Sequence, residues 1–190
     1  MSEPPRLPWR TIVVSTVLAL LAAVATVVLL SDDADDEGAT TAITLVPEDE
    51  VPTFDEATFT TFDGEEVLLS SVRGTPTVVN FFASYCTPCI TEMPAFEEVY
   101  QDLQGSGEIA FLGLAVADRT DDAQGLVDRT GVTYPTGEDK DASVITALEG
   151  VVLPTTVLLD ADGKVVASHA GELTEDELRA LLSEELGIQS

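Results

Sequence analysis

Residues 77–103 read TVVNFFASYCTPCITEMPAFEEVYQDL, and this stretch decides the fold. Its first part, residues 77–83, is an almost continuous apolar run of strand length, as expected of a strand buried on both faces of a sheet. From residue 89 to residue 103 the apolar side chains recur every three or four positions, which predicts one buried face of an α-helix. Two cysteines stand between these elements, so the sequence places them at a strand-to-helix turn.

The chain has two cysteines, Cys86 and Cys89. At the start of a helix the Cys86 sulfur lies near unpaired backbone N–H groups, which favour the reactive thiolate. Pro88 suits the first helical turn, where its missing N–H is not needed. We expect Cys86 to form a mixed disulfide with a substrate and Cys89 to resolve it. The alternatives are an inert disulfide or a metal site. Structural zinc takes four ligands and no second cysteine pair exists, so we predict no metal and no cofactor.

Glu92 follows Cys89 by three residues, so on a helix the two side chains share one face. A carboxylate there could exchange protons with Cys89, and its charge would raise the pKa of the thiol. Glu92 is therefore a candidate catalytic residue beside Cys86 and Cys89. The alternative is an ordinary exposed glutamate favoured by the helix dipole. Pro94 is expected to kink the same helix.

The rest of the globular segment alternates strand and helix patterns. Thr174 and Glu177 form a capping-box signature at the start of the last helix. A right-handed strand–helix–strand crossover makes the first long strands parallel. The sequence thus predicts one α/β domain with a mixed central sheet and helices on both faces. The predicted strands are 57–62, 65–69, 77–83, 109–117, 155–159 and 164–168, and the predicted helices are 89–103, 121–129, 141–148 and 174–186.

The N-terminal part of the chain predicts a membrane anchor. Residues 11–30 form an uncharged apolar run long enough to cross a bilayer. Basic residues precede this run and acidic residues follow it, so residues 1–10 are expected in the cytoplasm and the rest outside. Residues 31–50 read as a flexible acidic linker to a domain at 51–190. The alternative is a signal peptide cleaved after the small residues at 23–25, which predicts the same compartment.

The formal net charge is −27, with only eight Lys and Arg residues. Nucleic-acid binding depends on basic groups that neutralise phosphates, so this composition argues against it. Two interpretations remain open. The acidic residues either form a solvated, self-repelling surface or attract a basic protein partner.

Two segments together resemble the TlpA/ResA-like branch of the thioredoxin superfamily. They are VVNFFASYCTPCITEMPAF at 78–96 and VLPTTVLLDADGKVV at 152–166. The resemblance runs over about residues 52–187 and implies a thioredoxin-like fold. It also implies that Asn80 stands where cytoplasmic thioredoxins carry a buried aspartate.

Several site residues follow from the resemblance. It implies a cis peptide bond between Leu153 and Pro154, beside the cysteines, where these residues help bind the substrate backbone. Thr87 and Pro88, between the two cysteines, are the other expected substrate contacts. The branch carries a glutamate at the position of Glu92, which favours its catalytic role.

The resemblance implies an exported, membrane-tethered thiol–disulfide oxidoreductase. Many members reduce exported protein thiols such as those of apocytochrome c, with electrons from a separate membrane donor. The absence of Lys and Arg close to Cys86 in the sequence agrees with a reductant. Two other functions stay open. One is a copper carrier using Cys86, Cys89 and His169, and the other is a thiol peroxidase.

Overall fold

The computed structural model describes residues 52–189, and these residues form the predicted thioredoxin-like α/β architecture. A short 3₁₀ turn, Leu69–Val72, follows the second strand. The strands are β1 Thr58–Thr61, β2 Glu66–Leu68, β3 Thr77–Phe82, β4 Ala110–Val116, β5 Thr136–Asp139, β6 Thr155–Leu159 and β7 Val165–Ala170, and the helices are α1 Thr87–Leu103, α2 Thr120–Thr130, α3 Ser143–Ala147 and α4 Glu175–Leu186.

Within residues 52–189 the strands form one sheet in the order β2-β1-β5-β4-β3-β6-β7. Strand β3 pairs with β4 in parallel, and β4 pairs with β5 in parallel. The other pairings are antiparallel, so the sheet is mixed as the sequence predicts. Strand β3 lies between β4 and β6 in the interior of the sheet, so the cysteine turn that follows it is attached to a fully buried strand.

Strand β3 is buried along its whole length because both faces of the sheet are covered. Val78 and Phe82 pack on one face, in a core shared with α1, α2 and α4. Val79 and Phe81 pack on the opposite face, in a second core that includes residues of α3. Alternate side chains of a strand point to opposite faces, which explains why a continuous apolar run was needed here.

Strand β5 is an element that the sequence pattern did not predict. It reads TGED, with a glycine and two acidic residues, and such residues are rare in strands. Tertiary contacts override this preference. The Asp139 carboxylate accepts hydrogen bonds from the backbone N–H groups of Val144 and Ile145. Glu138 accepts a hydrogen bond from the Thr120 hydroxyl, so both buried acids have partners.

The helix boundaries differ from the predicted ones for local reasons. Helix α1 begins at Thr87, two residues early, with Cys86 as its N-cap, and it continues through Pro94. Helix α3 is three residues shorter than predicted because Ala142 before it and Glu149 after it adopt left-handed backbone angles. Helix α4 has the capping box that the sequence predicts at its start.

The predicted cytoplasmic segment 1–10, membrane span 11–30 and acidic linker 31–50 lie outside the described residues. No helix within residues 52–189 has both the length and the hydropathy that crossing a bilayer requires.

Candidate active site

The two cysteines occupy the turn that leads from the end of β3 into α1. The N–H of Cys86 donates to the carbonyl oxygen of Ala83 at 3.1 Å, which closes the turn. Cys86 and Cys89 are joined by a disulfide with their Cα atoms 5.3 Å apart, so the structure represents the oxidised form. The Cys86 sulfur also accepts a hydrogen bond from the Cys89 N–H at 3.3 Å. This contact is the helix-terminal donor that the sequence predicts for stabilising a Cys86 thiolate.

The two sulfur-bearing residues differ in accessibility. Cys86 is half-buried, whereas Cys89 is fully buried in the core beneath α1. Of the two residues, Cys86 is therefore the one that a substrate can reach from solvent. This asymmetry suits the roles expected from the sequence, in which Cys86 exchanges with the client and Cys89 acts afterwards.

Glu92 is buried, with 1% of its surface exposed, so its interpretation as an ordinary exposed glutamate is wrong. Its Oε1 atom accepts a hydrogen bond from the Asn80 side-chain amide at 2.8 Å. Its Oε2 atom accepts one from the backbone N–H of Leu173 at 3.2 Å. Strand β3 and the segment before α4 thus hold the carboxyl group in place behind Cys89.

Burial, with a smaller contribution from the nearby Glu172 carboxylate, raises the pKa of Glu92 from 4.5 to about 7. The hydrogen bonds from Asn80 and Leu173 favour the charged form but do not outweigh the loss of hydration. A group that titrates near neutral pH can both accept and release a proton under physiological conditions. The geometry therefore gives Glu92 the chemical capacity that its spacing from Cys89 suggested.

The peptide bond between Leu153 and Pro154 is cis, as the resemblance implied. Thr155 pairs with Phe81, which places Pro154 beside the end of β3 from which the cysteine turn departs. Pro154 is buried and Leu153 is half-buried. Contact of these two residues with substrate stays a prediction.

Thr87 and Pro88 are exposed at the start of α1. Both side chains are accessible to a substrate, and their contact with it stays a prediction. Most of the large exposed apolar side chains within residues 52–189 lie in two places. These are the segment around the cysteines and the loop before Pro154. The side chains are Tyr85, Ile90, Val151 and Val152, with Leu68 as the exception.

His169 lies on β7, where it pairs with Thr156, and it is half-buried. Among residues 52–189 no three His, Cys, Asp or Glu side chains are grouped so as to hold a metal ion. The copper-carrier hypothesis requires His169 to lie together with Cys86 and Cys89. The structure does not group these three residues. The half-buried position suits a structural role for this histidine.

Three contacts of the site were missed by the sequence reasoning. Asn80 binds Glu92 directly, and its presence as a polar residue within an apolar strand was the available signal. The Leu173 N–H left no signal, because any residue carries a backbone donor. Asp118, at the carboxyl end of β4, accepts hydrogen bonds from Ser84 just before the cysteines. Its place at the end of a parallel strand, where functional groups of α/β sheets gather, could have marked it.

Comparison with known proteins gives a consistent family. Residues 47–168 match the AhpC/TSA family. Thiol-disulfide oxidoreductase ResA of Halalkalibacterium halodurans is 36% identical over 114 residues, which cover 60% of this chain and 64% of that protein. The ResA of Bacillus thuringiensis is 35% identical over 125 residues, covering 65% of this chain and 70% of that protein. The matched segment thus spans about two thirds of each relative.

A solved structure extends the comparison to the fold. MTB DsbF, determined in mixed oxidised and reduced forms, superposes with a TM-score of 0.63 at 27% identity. The match covers 70% of this chain and 98% of that one. Sequence relatives, fold and the disulfide at the start of α1 agree, and the chain belongs to the AhpC/TSA family as a thiol–disulfide oxidoreductase related to ResA.

Proposed function

We propose that this oxidoreductase is a membrane-anchored reductant of exported proteins, with its catalytic domain outside the cytoplasm. The observation that carries the proposal is the buried Glu92 carboxyl, three residues after the buried Cys89 on the same helix. An isolated structural disulfide needs no titratable group behind it. A dithiol that must lose its second proton inside the core does need one, and Glu92 meets that need near pH 7.

The reaction begins with the reduced enzyme. The Cys86 thiolate attacks a client disulfide and forms a mixed disulfide, and one client sulfur leaves as a thiolate. Glu92 takes the proton of the Cys89 thiol, and the resulting thiolate attacks the Cys86 sulfur. The second client sulfur then leaves, and the Cys86–Cys89 disulfide forms. Two electrons pass to the client, and a dithiol donor in the membrane returns two electrons to the enzyme.

The charges around the cysteines support the proposed direction of transfer. No Lys or Arg stands between Gly74 and Asp118 in the chain. The nearby carboxyl group of Glu92 disfavours a thiolate whenever it is ionised. A poorly stabilised thiolate makes the dithiol form less stable relative to the disulfide, which is the property of a reductant.

The client is proposed to be a basic exported polypeptide, as apocytochrome c would be. The net charge of −27 supports electrostatic attraction of such a partner. The apolar run at 11–30, with basic residues before it and acidic residues after it, supports an anchor that places the domain on the same side of the membrane as the client.

The redox potential of the Cys86–Cys89 pair tests the direction. The protein is equilibrated with glutathione or dithiothreitol buffers, and its reduced fraction is read by thiol alkylation. We expect a potential close to that of thioredoxin, about −270 mV, and a value near that of DsbA, about −120 mV, would overturn the reductant assignment. The Cys86→Ser variant is the control and should not exchange disulfides at all.

Deletion of the gene tests the client. We expect c-type cytochromes to be lost, because apocytochrome cysteines would stay oxidised and could not bind haem. Restoration by an added exported thiol reductant would connect the loss to the redox step. Normal cytochrome levels after deletion would contradict apocytochrome c as the client.

A further inference from the structure

Asp118 holds the chain segment that leads into the cysteine turn. It follows β4 by two residues, and β4 runs parallel to β3. One carboxylate oxygen accepts a hydrogen bond from the Ser84 N–H at 2.5 Å, and the other accepts one from the Ser84 hydroxyl at 3.0 Å. Ser84 is two residues from Cys86. Both carboxylate oxygens of Asp118 thus accept hydrogen bonds from the residue that leads into the cysteine turn.

The backbone around Asp118 is itself fixed in an uncommon conformation. Ala117 has a φ of 47°, in the left-handed region that alanine rarely adopts. Its N–H donates to the Asp139 carbonyl oxygen at 2.9 Å, which ties the segment to β5. The Arg119 N–H donates to the Asp118 carboxylate at 2.8 Å. Backbone strain of this kind persists only where surrounding contacts hold it, and it tends to occur at functional sites.

Both acidic and basic side chains lie in the cleft beside Asp118. The cleft beside it is lined by Arg119, Thr120, Asp121 and Lys140. Lys140 also pairs with Glu138 of β5 at 3.3 Å. Arg119 pairs with Asp122 at 3.2 Å, so both basic groups of this cleft have carboxylate partners other than Asp118.

We propose that Asp118 is a positioning residue of the redox reaction, which orients the cysteine turn through Ser84 and keeps a negative charge beside the reactive disulfide. This role rests on the proposed function, since a nearby anion favours a reductant over an oxidant. Two residues of chain span at most about 7 Å, so the carboxylate lies within about 10 Å of the Cys86 backbone nitrogen. A negative charge at that distance opposes a Cys86 thiolate and favours the disulfide form.

Two substitutions separate charge from geometry. Asp118→Asn keeps an oxygen that can accept from the Ser84 N–H and removes the charge, whereas Asp118→Ala removes both. Asp121→Asn, an exposed acid of the same cleft without a contact to Ser84, is the matched control. The readouts are the pKa of Cys86 in the reduced protein, measured by thiolate absorbance at low salt, and the potential of each variant relative to the wild type.

At about 10 Å and an effective dielectric constant of about 40, one charge shifts a pKa by about half a unit. We expect Asp118→Asn to lower the pKa of Cys86 by about that amount and to make the disulfide easier to reduce. Asp118→Ala should show the same shift and, in addition, a lower kcat with a client disulfide. Asp121→Asn should stay close to the wild type, because it does not hold the turn.

The proposal is overturned if Asp118→Asn leaves the pKa of Cys86 and the potential unchanged, even if its unfolding midpoint falls. It is also overturned if Asp121→Asn gives the same shifts, because the effect would then be general surface charge. The reductant assignment fails separately, through an oxidising potential of the wild type. The Asp118 effect is a difference between variants and is measured whichever value the wild type has.

Discussion

Glu92 is held between opposing influences. The core removes water from its carboxyl group, while Asn80 and the Leu173 N–H supply hydrogen bonds that suit a carboxylate. Burial is the larger effect, and the pKa rises to about 7. The protonation state of this residue therefore changes near neutral pH, and both rate and stability should respond.

Replacement of Glu92 by Gln tests its role as proton acceptor. In the wild type, the rate at which Cys89 resolves the mixed disulfide should rise with pH through about 7, as Glu92 ionises. In Glu92→Gln the rise should be absent and the rate at pH 8 should fall by about tenfold or more. The rate is measured by acid quenching and separation of the mixed disulfide.

Glu98→Gln, an exposed position of the same helix, is the control and should keep the profile of the wild type. An unchanged profile in Glu92→Gln would remove Glu92 from the reaction.

The same variant has a stability consequence with a definite sign. The pKa of Glu92 is higher in the folded, oxidised protein than in the unfolded chain, so the folded state holds the extra proton between pH 4.5 and about 7. The resulting stabilisation is complete below pH 4.5 and is lost as pH rises through 7. A rise from 4.5 to about 7 corresponds to about 3 kcal/mol.

Relative to the wild type, Glu92→Gln should therefore gain about 3 kcal/mol between pH 4.5 and pH 8. Urea unfolding of both oxidised proteins at the two pH values measures the difference. Parallel stability curves would show that Glu92 does not titrate in this range.

At the scale of elements, the start of α4 links helix capping to the site. The Thr174 hydroxyl accepts from the Glu177 N–H, and the Glu177 carboxylate accepts from the Thr174 N–H. Leu173, one residue earlier, donates its N–H to Glu92. The capping box therefore fixes the end of α4 that also supplies a hydrogen bond to the buried carboxyl group.

Thr174→Ala should lower the free energy of unfolding by about 1 kcal/mol, because it removes the side-chain cap. Thr174→Ser keeps the hydroxyl and should remain close to the wild type. Denaturant unfolding measures both variants at one pH. Equal stability of the alanine and serine variants would show that the cap does not contribute.

At the scale of the whole molecule, the proposed attraction of a basic client by the net charge of −27 predicts a salt dependence. Reduction of a basic peptide disulfide should slow as salt rises, since ions screen the attraction over about 10 Å at 0.1 M. The rate constant at low salt should exceed that at 0.5 M by about tenfold. Stopped-flow kinetics measures it, with hydroxyethyl disulfide as the uncharged control. Equal salt dependence for both substrates would contradict electrostatic recruitment.

The amino-acid sequence determined the local parts of this protein. The apolar run of β3, the periodic face of α1, the cysteine turn between them and the capping box of α4 are encoded in neighbouring residues. Periodicity and capping act over one or two helical turns, so they can be read without knowledge of the fold. The cis bond at Pro154 followed from the resemblance of its segment to a family.

Tertiary structure alone decided the environment of the reactive group. Glu92 is buried because Asn80, 12 positions away, and Leu173, 81 positions away, offer it hydrogen bonds within the core. Asp118 reaches Ser84 across 34 positions, and β5 forms despite an unfavourable composition because its acids find partners. A polar group can be buried only where distant segments supply its hydrogen bonds, and the meeting of those segments is a property of the packed fold.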